Sequence, residues 1–225
     1  MHESRCLYYF NRISNEKHLI INKKIELSCP AIFFDRDGVL IEDKDYISNP
    51  DDVELCLGAE KLLKLSKQNG RVNIVVTNQS GISRGYFSWD EYEKVSSKML
   101  DIIGLRYGVD AIYACGSSPN NTLDWRKPSP NMLLEAENRF KILIEESIMI
   151  GDRLSDLKAG LDSGVKKVVH VLTGKGEKCR KEILKYFNFP ENKENYKFPF
   201  KAKINKNQEV VLINNLLDFK IDYLN

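Results

Sequence analysis

The sequence predicts an α/β fold, a doubly wound, Rossmann-like parallel sheet with flanking helices. Three observations predict it. Five short runs are predominantly apolar and rich in β-branched or aromatic residues, as strands buried on both faces should be. Stretches with helical spacing separate them. The resulting strand–helix–strand alternation has the spacing of crossover units, which force a parallel sheet.

Ala31 to Phe34 reads as the first strand, and Val72 to Val76, opened by the Gly70 turn, as the second. Ala111 to Cys115, Ser147 to Ile150 and Val168 to Leu172 follow. Ala59 to Gln68 places Leu62, Leu63 and Ser66 on or near one helical face, and Gly70 is its stop signal. Ser88 to Tyr107 opens with Ser-Trp-Asp-Glu, a capping box in which Ser88 and Glu91 each satisfy a free backbone donor. Asn131 to Phe140 starts after Pro130, which suits a first turn, and Leu154 to Ser163 ends at Gly164. Residues 1–28 form an N-terminal extension, polar but for a weak apolar stretch at Leu19 to Ile21. Residues 29–175 form the principal domain. Residues 176–225 form a C-terminal extension of helix, loop and helix packed on the same domain. Within it, Asn188 to Asn207 reads as a loop, and Val210 to Leu224 as a strand and a terminal helix.

A chain of 225 residues can bury one sizeable core. Hydrophobic residues at 42% and charged residues at 29% match a water-soluble globular protein. No apolar run approaches the roughly 20 residues that span a bilayer. The N-terminus lacks the basic-then-apolar pattern of a secretory leader, so a cytoplasmic location without a membrane partner is expected. Lys plus Arg (34) nearly cancels Asp plus Glu (32), leaving +2 and no global attraction to nucleic acid. An anionic ligand must then be held by local positive groups, and a monomer is the default state. The five cysteines are scattered and never spaced Cys-x-x-Cys, so free thiols are expected.

The chemistry lies where strands end. Asp35-Arg36-Asp37-Gly38 follows the first strand, and ligands bind beyond the carboxyl ends of strands in open parallel sheets. One carboxylate there can attack phosphorus, and its neighbour can serve as acid and base. A calcium loop would need a further ligand and flanking helices. Thr77-Asn78-Gln79-Ser80-Gly81 follows the second strand and offers a hydroxyl and backbone N–H groups to phosphate, though a polar turn looks the same. Gly151-Asp152-Arg153-Leu154-Ser155-Asp156 follows the fourth strand. There Asp152 could complete a magnesium site, or Asp152 and Asp156 could cap a helix. Lys127, in Trp125-Arg126-Lys127-Pro128, could neutralise phosphate charge or lie solvated.

Together these motifs resemble the haloacid dehalogenase (HAD) superfamily. The long stretch from Val76 to Gly85, with Phe34 to Gly38 and Arg126 to Pro128, is similar to the branch that holds heptose bisphosphate and histidinol-phosphate phosphatases. The similarity spans about Pro30 to Lys175. It implies that Asp35 is the nucleophile and Asp37 the general acid and base. It implies Mg²⁺ held by the carboxylates of Asp35 and Asp152 and the backbone carbonyl of Asp37, with Thr77 and Lys127 binding the transferring phosphate. By the same resemblance Asp43, Lys44, Asp45 and Tyr46 contact substrate. Asn78, Gln79, Ser80, Arg126 and Arg153 match positions facing a sugar or its second phosphate, a task for which the Arg fork is suited. No large insertion follows Asp35 to Gly38, so no large cap domain is expected. Many members of the branch carry a zinc loop of three Cys and one His. Here Cys115 stands alone, and zinc is not expected. Asp45 also stands where glycine is common in the heptose enzymes.

The expectation is therefore a Mg²⁺-dependent phosphomonoesterase acting on a small phosphorylated sugar. Heptose 1,7-bisphosphate is the leading substrate, on the route to activated heptose for lipopolysaccharide, and histidinol phosphate the runner-up. A nucleic-acid 3′-phosphatase would use Tyr196 to Lys201 to stack on bases. A non-catalytic binding module conflicts with the full set of reactive side chains.

Overall fold

The computed structural model of the chain describes residues 8–22, 28–104, 108–118, 125–190 and 198–224. Among these described residues nine strands form one sheet: β1 (Tyr8–Arg12), β2 (Lys17–Asn22), β3 (Ala31–Phe34), β4 (Val72–Asn78), β5 (Ala111–Cys115), β6 (Ile148–Gly151), β7 (Lys167–His170), β8 (Phe200–Lys203) and β9 (Glu209–Leu212). Their order is β1-β2-β5-β4-β3-β6-β7-β9-β8. The six central strands, β5 to β9 in that order, run parallel, and antiparallel pairs extend both edges. From β3 the chain winds first through β4 and β5, then crosses to β6 and β7 on the other side. The crevice at this reversal is where such sheets bind ligands.

Alternation along the strands builds two cores. Ile32 and Phe34 face α1 (Ala59–Gln68) and α2 (Trp89–Ile103), with Leu62, Leu63, Tyr92, Val95 and Met99 beneath them. Ala31 and Phe33 face α3 (Asn131–Phe140), α4 (Leu154–Ser163) and α5 (Gly176–Tyr186), with Met132, Leu133, Leu157 and Ile183 on that side. Both faces are covered, which is why the strands read as predominantly apolar runs.

Expected boundaries and observed ones differ for identifiable reasons. β4 runs on to Asn78 because Thr77 and Asn78 pair with Ala114 and Cys115 of β5. α2 has the capping box at Ser88 and Glu91 but stops at Ile103, where Gly104 turns into positive φ. The last part of that expected helix, 105–107, lies outside the described residues.

The extensions depart further. Leu19 to Ile21, read as a weak apolar stretch, belongs to a strand that pairs with β5, and Leu19 and Ile20 are fully buried. The hairpin is pinned to α2 by His18, which stacks on Trp89 and meets Glu93 at 2.8 Å, and by Arg12 on Asp90 and Glu93. At the other end β8 and β9 add to the sheet, and among the described residues no terminal α-helix follows. Residues Leu216–Asp218 and Ile221–Leu224 are short 3₁₀ turns. Asn215 caps Leu217, and Asp218 accepts from the Asn214 N–H. Such side-chain bonds compete with helix propagation. Of the aromatic-basic stretch at 196–201, Tyr196 and Lys197 lie outside the described residues. Phe198 sits under the Arg180 guanidinium, and Phe200 packs against Phe189.

Candidate active site

The exits of β3, β4 and β6 converge at the reversal point, joined by Lys127 from the segment before α3. Asp35 follows β3, and its backbone N–H donates to the Ile150 carbonyl of β6, fixing it between the two halves of the sheet. Lys127 is buried. Its ammonium lies 2.9 Å from Asp35 Oδ1 and 2.8 Å from Asp156 Oδ1, and donates to the Val76 carbonyl at 2.7 Å. Asn78 holds the Lys127 backbone from both sides, donating to its carbonyl at 2.9 Å and accepting from its N–H at 3.0 Å. Burial disfavours the ammonium, but the two carboxylates outweigh it and leave Lys127 above its usual pKa. A cation so fixed is suited to a phosphate facing Asp35.

Asp35, Asp152 and Asp156 each place a carboxylate oxygen within 4.8 Å of the others'. Burial first, then the neighbouring Asp156, push the Asp35 carboxyl up in spite of Lys127. Burial, Asp156 and Asp35 push Asp152 up to about 8. Asp152 is fully buried. Its Oδ2 accepts from the Lys175 N–H at 2.7 Å, while Oδ1 has no hydrogen-bond partner. A buried carboxylate oxygen without a donor, facing two more carboxylates, is costly unless a cation joins it. Magnesium takes hard oxygen donors, one or two carboxylates completed by phosphate oxygens and water, so the residues fit the ion. Asp156 is the addition to the expected set. It also caps α4 by accepting from the Arg153 N–H at 2.9 Å, so the capping alternative holds for that side chain at the same time.

The Asp37 carboxylate stands apart from this triad. The buried Arg36 guanidinium forks onto it at 3.0–3.3 Å and lies 5.0 Å above the Tyr92 ring. Gln79 Nε2 donates to Asp37 Oδ2 at 2.7 Å and to Thr77 Oγ1 at 2.8 Å, linking two of the expected catalytic side chains. Arg36 and Gln79 thus hold the Asp37 carboxylate from two sides.

These groups floor a cleft of about 470 Å³. Of the expected substrate contacts, Asp43, Asp45, Tyr46, Asn78, Gln79, Ser80, Arg126 and Arg153 line it, as do Asp35, Asp37 and Lys127. Thr77 and Asp152 are buried beneath it. Lys44 is not brought in. It turns to Glu54 at 2.7 Å, an exposed carboxylate that faces it across the loop. Cys115 Sγ is 2.7 Å from Ser117 Oγ, and residues 119–124 of the expected loop lie outside the described set. A second, more open hollow between Arg12 and the first turn of α2 carries none of the reactive groups.

Sequence reasoning passed over several residues. Arg84 lines the cleft and donates to the Tyr46 hydroxyl at 2.8 Å. Its signal was available in the motif from Val76 to Gly85. His170 Nε2 meets the Asp152 carbonyl at 2.9 Å, and Arg180 Nε donates to His170 Nδ1 at 2.8 Å. The ring is therefore neutral with Nε2 as donor, and burial pushes its pKa down to about 3. Nothing local in the sequence marks that chain of contacts.

Residues 124–191 match the HAD-hydrolase-like family model. The chain is 39% identical over 138 residues to D-glycero-β-D-manno-heptose-1,7-bisphosphate 7-phosphatase of Helicobacter pylori, covering 60% of this chain and 80% of that protein. It is 36% identical over 165 residues to the α-heptose enzyme of Campylobacter jejuni, covering 70% and 95%. Among solved structures, D,D-heptose 1,7-bisphosphate phosphatase of B. bronchiseptica, complexed with magnesium and phosphate, superposes with a TM-score of 0.66 at 26% identity, over 83% of this chain and 93% of that one. With its mostly parallel sheet, its strand-exit carboxylates and these relatives, the chain belongs to the HAD-like D-glycero-D-manno-heptose-1,7-bisphosphate 7-phosphatase family and is a phosphoric monoester hydrolase.

Proposed function

We propose that the chain removes the 7-phosphate of D-glycero-D-manno-heptose 1,7-bisphosphate, through an aspartyl-phosphate on Asp35, in the synthesis of activated heptose. The observation that carries this reading is the Lys127 ammonium, held 2.9 Å from Asp35 Oδ1 at the floor of a cleft rimmed by Arg84, Arg126 and Arg153. One phosphate would lie against Asp35 and Lys127, and the guanidinium groups suit a second.

Asp35 attacks phosphorus, and the bond from phosphorus to the sugar oxygen breaks as the acyl-phosphate forms. Asp37 gives its proton to the departing sugar oxygen. It then takes a proton from the water that attacks the acyl-phosphate, so inorganic phosphate leaves and Asp35 is regenerated. Arg36 and Gln79 keep Asp37 turned toward that path. Thr77 and Lys127 hold the phosphoryl oxygens, positioning being the larger part of catalysis in such transfers. Asp35, Asp152 and the Asp37 carbonyl, with Asp156 close by, would hold Mg²⁺, which neutralises phosphate charge when bound.

The test is phosphate release from heptose 1,7-bisphosphate, histidinol phosphate and p-nitrophenyl phosphate, with and without Mg²⁺. The heptose bisphosphate should exceed the aryl phosphate on the order of 100-fold in kcat/KM, because remote binding groups are used at the reacting centre. Asp35→Asn should lose at least ~1,000-fold while keeping its fold. Arg126→Met or Arg153→Met should weaken bisphosphate turnover far more than that of a monophosphate. Equal losses on both substrates would count against the bisphosphate, and substantial activity in Asp35→Asn would assign the attack to another group.

A further inference from the structure

The loop after β7 touches the motif after β3, the acidic triad and the loop at the cleft mouth. Thr173 Oγ1 donates to the Gly38 carbonyl at 2.5 Å. The Lys175 N–H donates to Asp152 Oδ2 at 2.7 Å. The Lys175 ammonium lies 2.6 Å from Asp45 Oδ1 and 3.3 Å from Asp43 Oδ2. One residue thus joins a buried carboxylate of the acidic triad, through its backbone, to the loop at the cleft mouth, through its side chain.

That loop has two difficulties that Lys175 answers. Asp43 and Asp45 both line a cleft for phosphate esters, and two carboxylates there repel an incoming anion. The loop is also held in a conformation side chains resist, since Asp45 and Tyr46 have φ of 47° and 61°. Its internal restraint is the Asp45 N–H donating to Asp43 Oδ1 at 3.1 Å. The ammonium cancels charge at both carboxylates and ties Asp45 down. In keeping with the contact, Lys175 holds Asp45 below the ordinary carboxylate range and is itself raised by Asp45.

We infer that Lys175 is a positioning residue whose ammonium latches the loop from Asp43 to Tyr46 over the cleft and neutralises it, so that an anionic substrate is admitted. The inference rests on the phosphomonoesterase reading of the cleft, and not on which phosphate ester is the natural one.

The experiment compares wild type, Lys175→Met, Lys175→Arg and the double variant Lys175→Met/Asp45→Asn. Each is assayed on heptose 1,7-bisphosphate and on p-nitrophenyl phosphate, at low and high salt. Lys175→Met should raise KM about three- to tenfold at low salt, with kcat within about twofold, since rim charges act on encounter and binding. High salt should shrink the difference. Lys175→Arg should restore most of the loss, and Asp45→Asn in the Met background should recover part of it by removing the uncancelled charge. The Mg²⁺ concentration for half activity should stay put, because the backbone N–H on Asp152 remains. Should the Met variant not fold, Lys175→Gln takes its place. An unchanged KM at both salts overturns the latch, as does a salt-insensitive loss that Asp45→Asn leaves in place. A wild type active on aryl phosphate and inactive on the heptose bisphosphate would instead refute the substrate assignment, with the aryl arm still judging Lys175.

Discussion

At Asp152 one carboxylate oxygen accepts a backbone N–H and the other faces Asp35 and Asp156 with no donor. Its carboxyl rises to about 8 from an ordinary 3.8, so the folded, metal-free protein keeps a proton that the unfolded chain releases. The sign follows. This group's stabilisation is complete below about pH 4 and is lost as pH climbs toward 8, at up to about 1.4 kcal/mol per unit. A divalent cation that takes the ionised form offsets that loss. Added Mg²⁺ should therefore raise Tm little at pH 5 and progressively more up to pH 8, measured by calorimetry at fixed metal. A shift of constant size across that range would remove the acidic triad as its cause. Asp152 could be read from the sequence because a strand exit and a four-residue spacing announce it. Lys175 could not, because its value lies in touching Asp43 and Asp45, which are 132 and 130 residues away (175 − 43 and 175 − 45).

Two loops meet where β3 and β7 deliver Gly38 and Gly174, and the absence of side chains at both lets them close on Asp152. A Cβ at Gly174 would stand 2.5 Å from Asp152 Oδ2 and 2.6 Å from the Gly38 Cα, at φ of +59°. Gly70 is the natural control, with a φ of +69° and nothing within 4 Å of its would-be Cβ. Gly70→Ala should lose roughly 1 kcal/mol from backbone strain alone. Gly174→Ala should lose clearly more in urea unfolding and should also weaken Mg²⁺ activation, because it displaces Asp152. If the two variants behave alike, the close approach contributes nothing to the metal site. The central strands and helices were legible because their apolar runs and caps are local properties. The hairpin of β1 and β2 was not. Tyr8 is buried through long-range contacts that include its hydroxyl bond to the Val109 carbonyl, and His18 through its stacking on Trp89 and its contacts with Tyr92 and Glu93.

Across the whole molecule, the sheet does not stop where the catalytic motifs do. β9 pairs with β7 along Lys167 to His170, and Val210, Val211, Leu212 and Ile213 are fully buried on alternating faces. Leu216 and Leu224 pack behind them, the Leu224 carbonyl accepts from Arg71, and the Tyr223 carbonyl accepts from Lys167 at 2.6 Å. Arg180 adds a bond to the Ile213 carbonyl at 2.7 Å while supporting His170 under Asp152. Six buried aliphatic side chains at about 1.5–3 kcal/mol each amount to roughly 9–18 kcal/mol, comparable to a domain's entire net stability. A chain ending at Pro190 should therefore fail to fold cooperatively, even though every reactive side chain is present in it. Urea unfolding followed by far-UV circular dichroism reads this directly. The truncated chain should show no sigmoidal transition, whereas the full chain should show one. Retention of a native-like transition and of Mg²⁺-dependent phosphatase activity would make residues 1–190 a self-sufficient unit and the C-terminal strands an accessory.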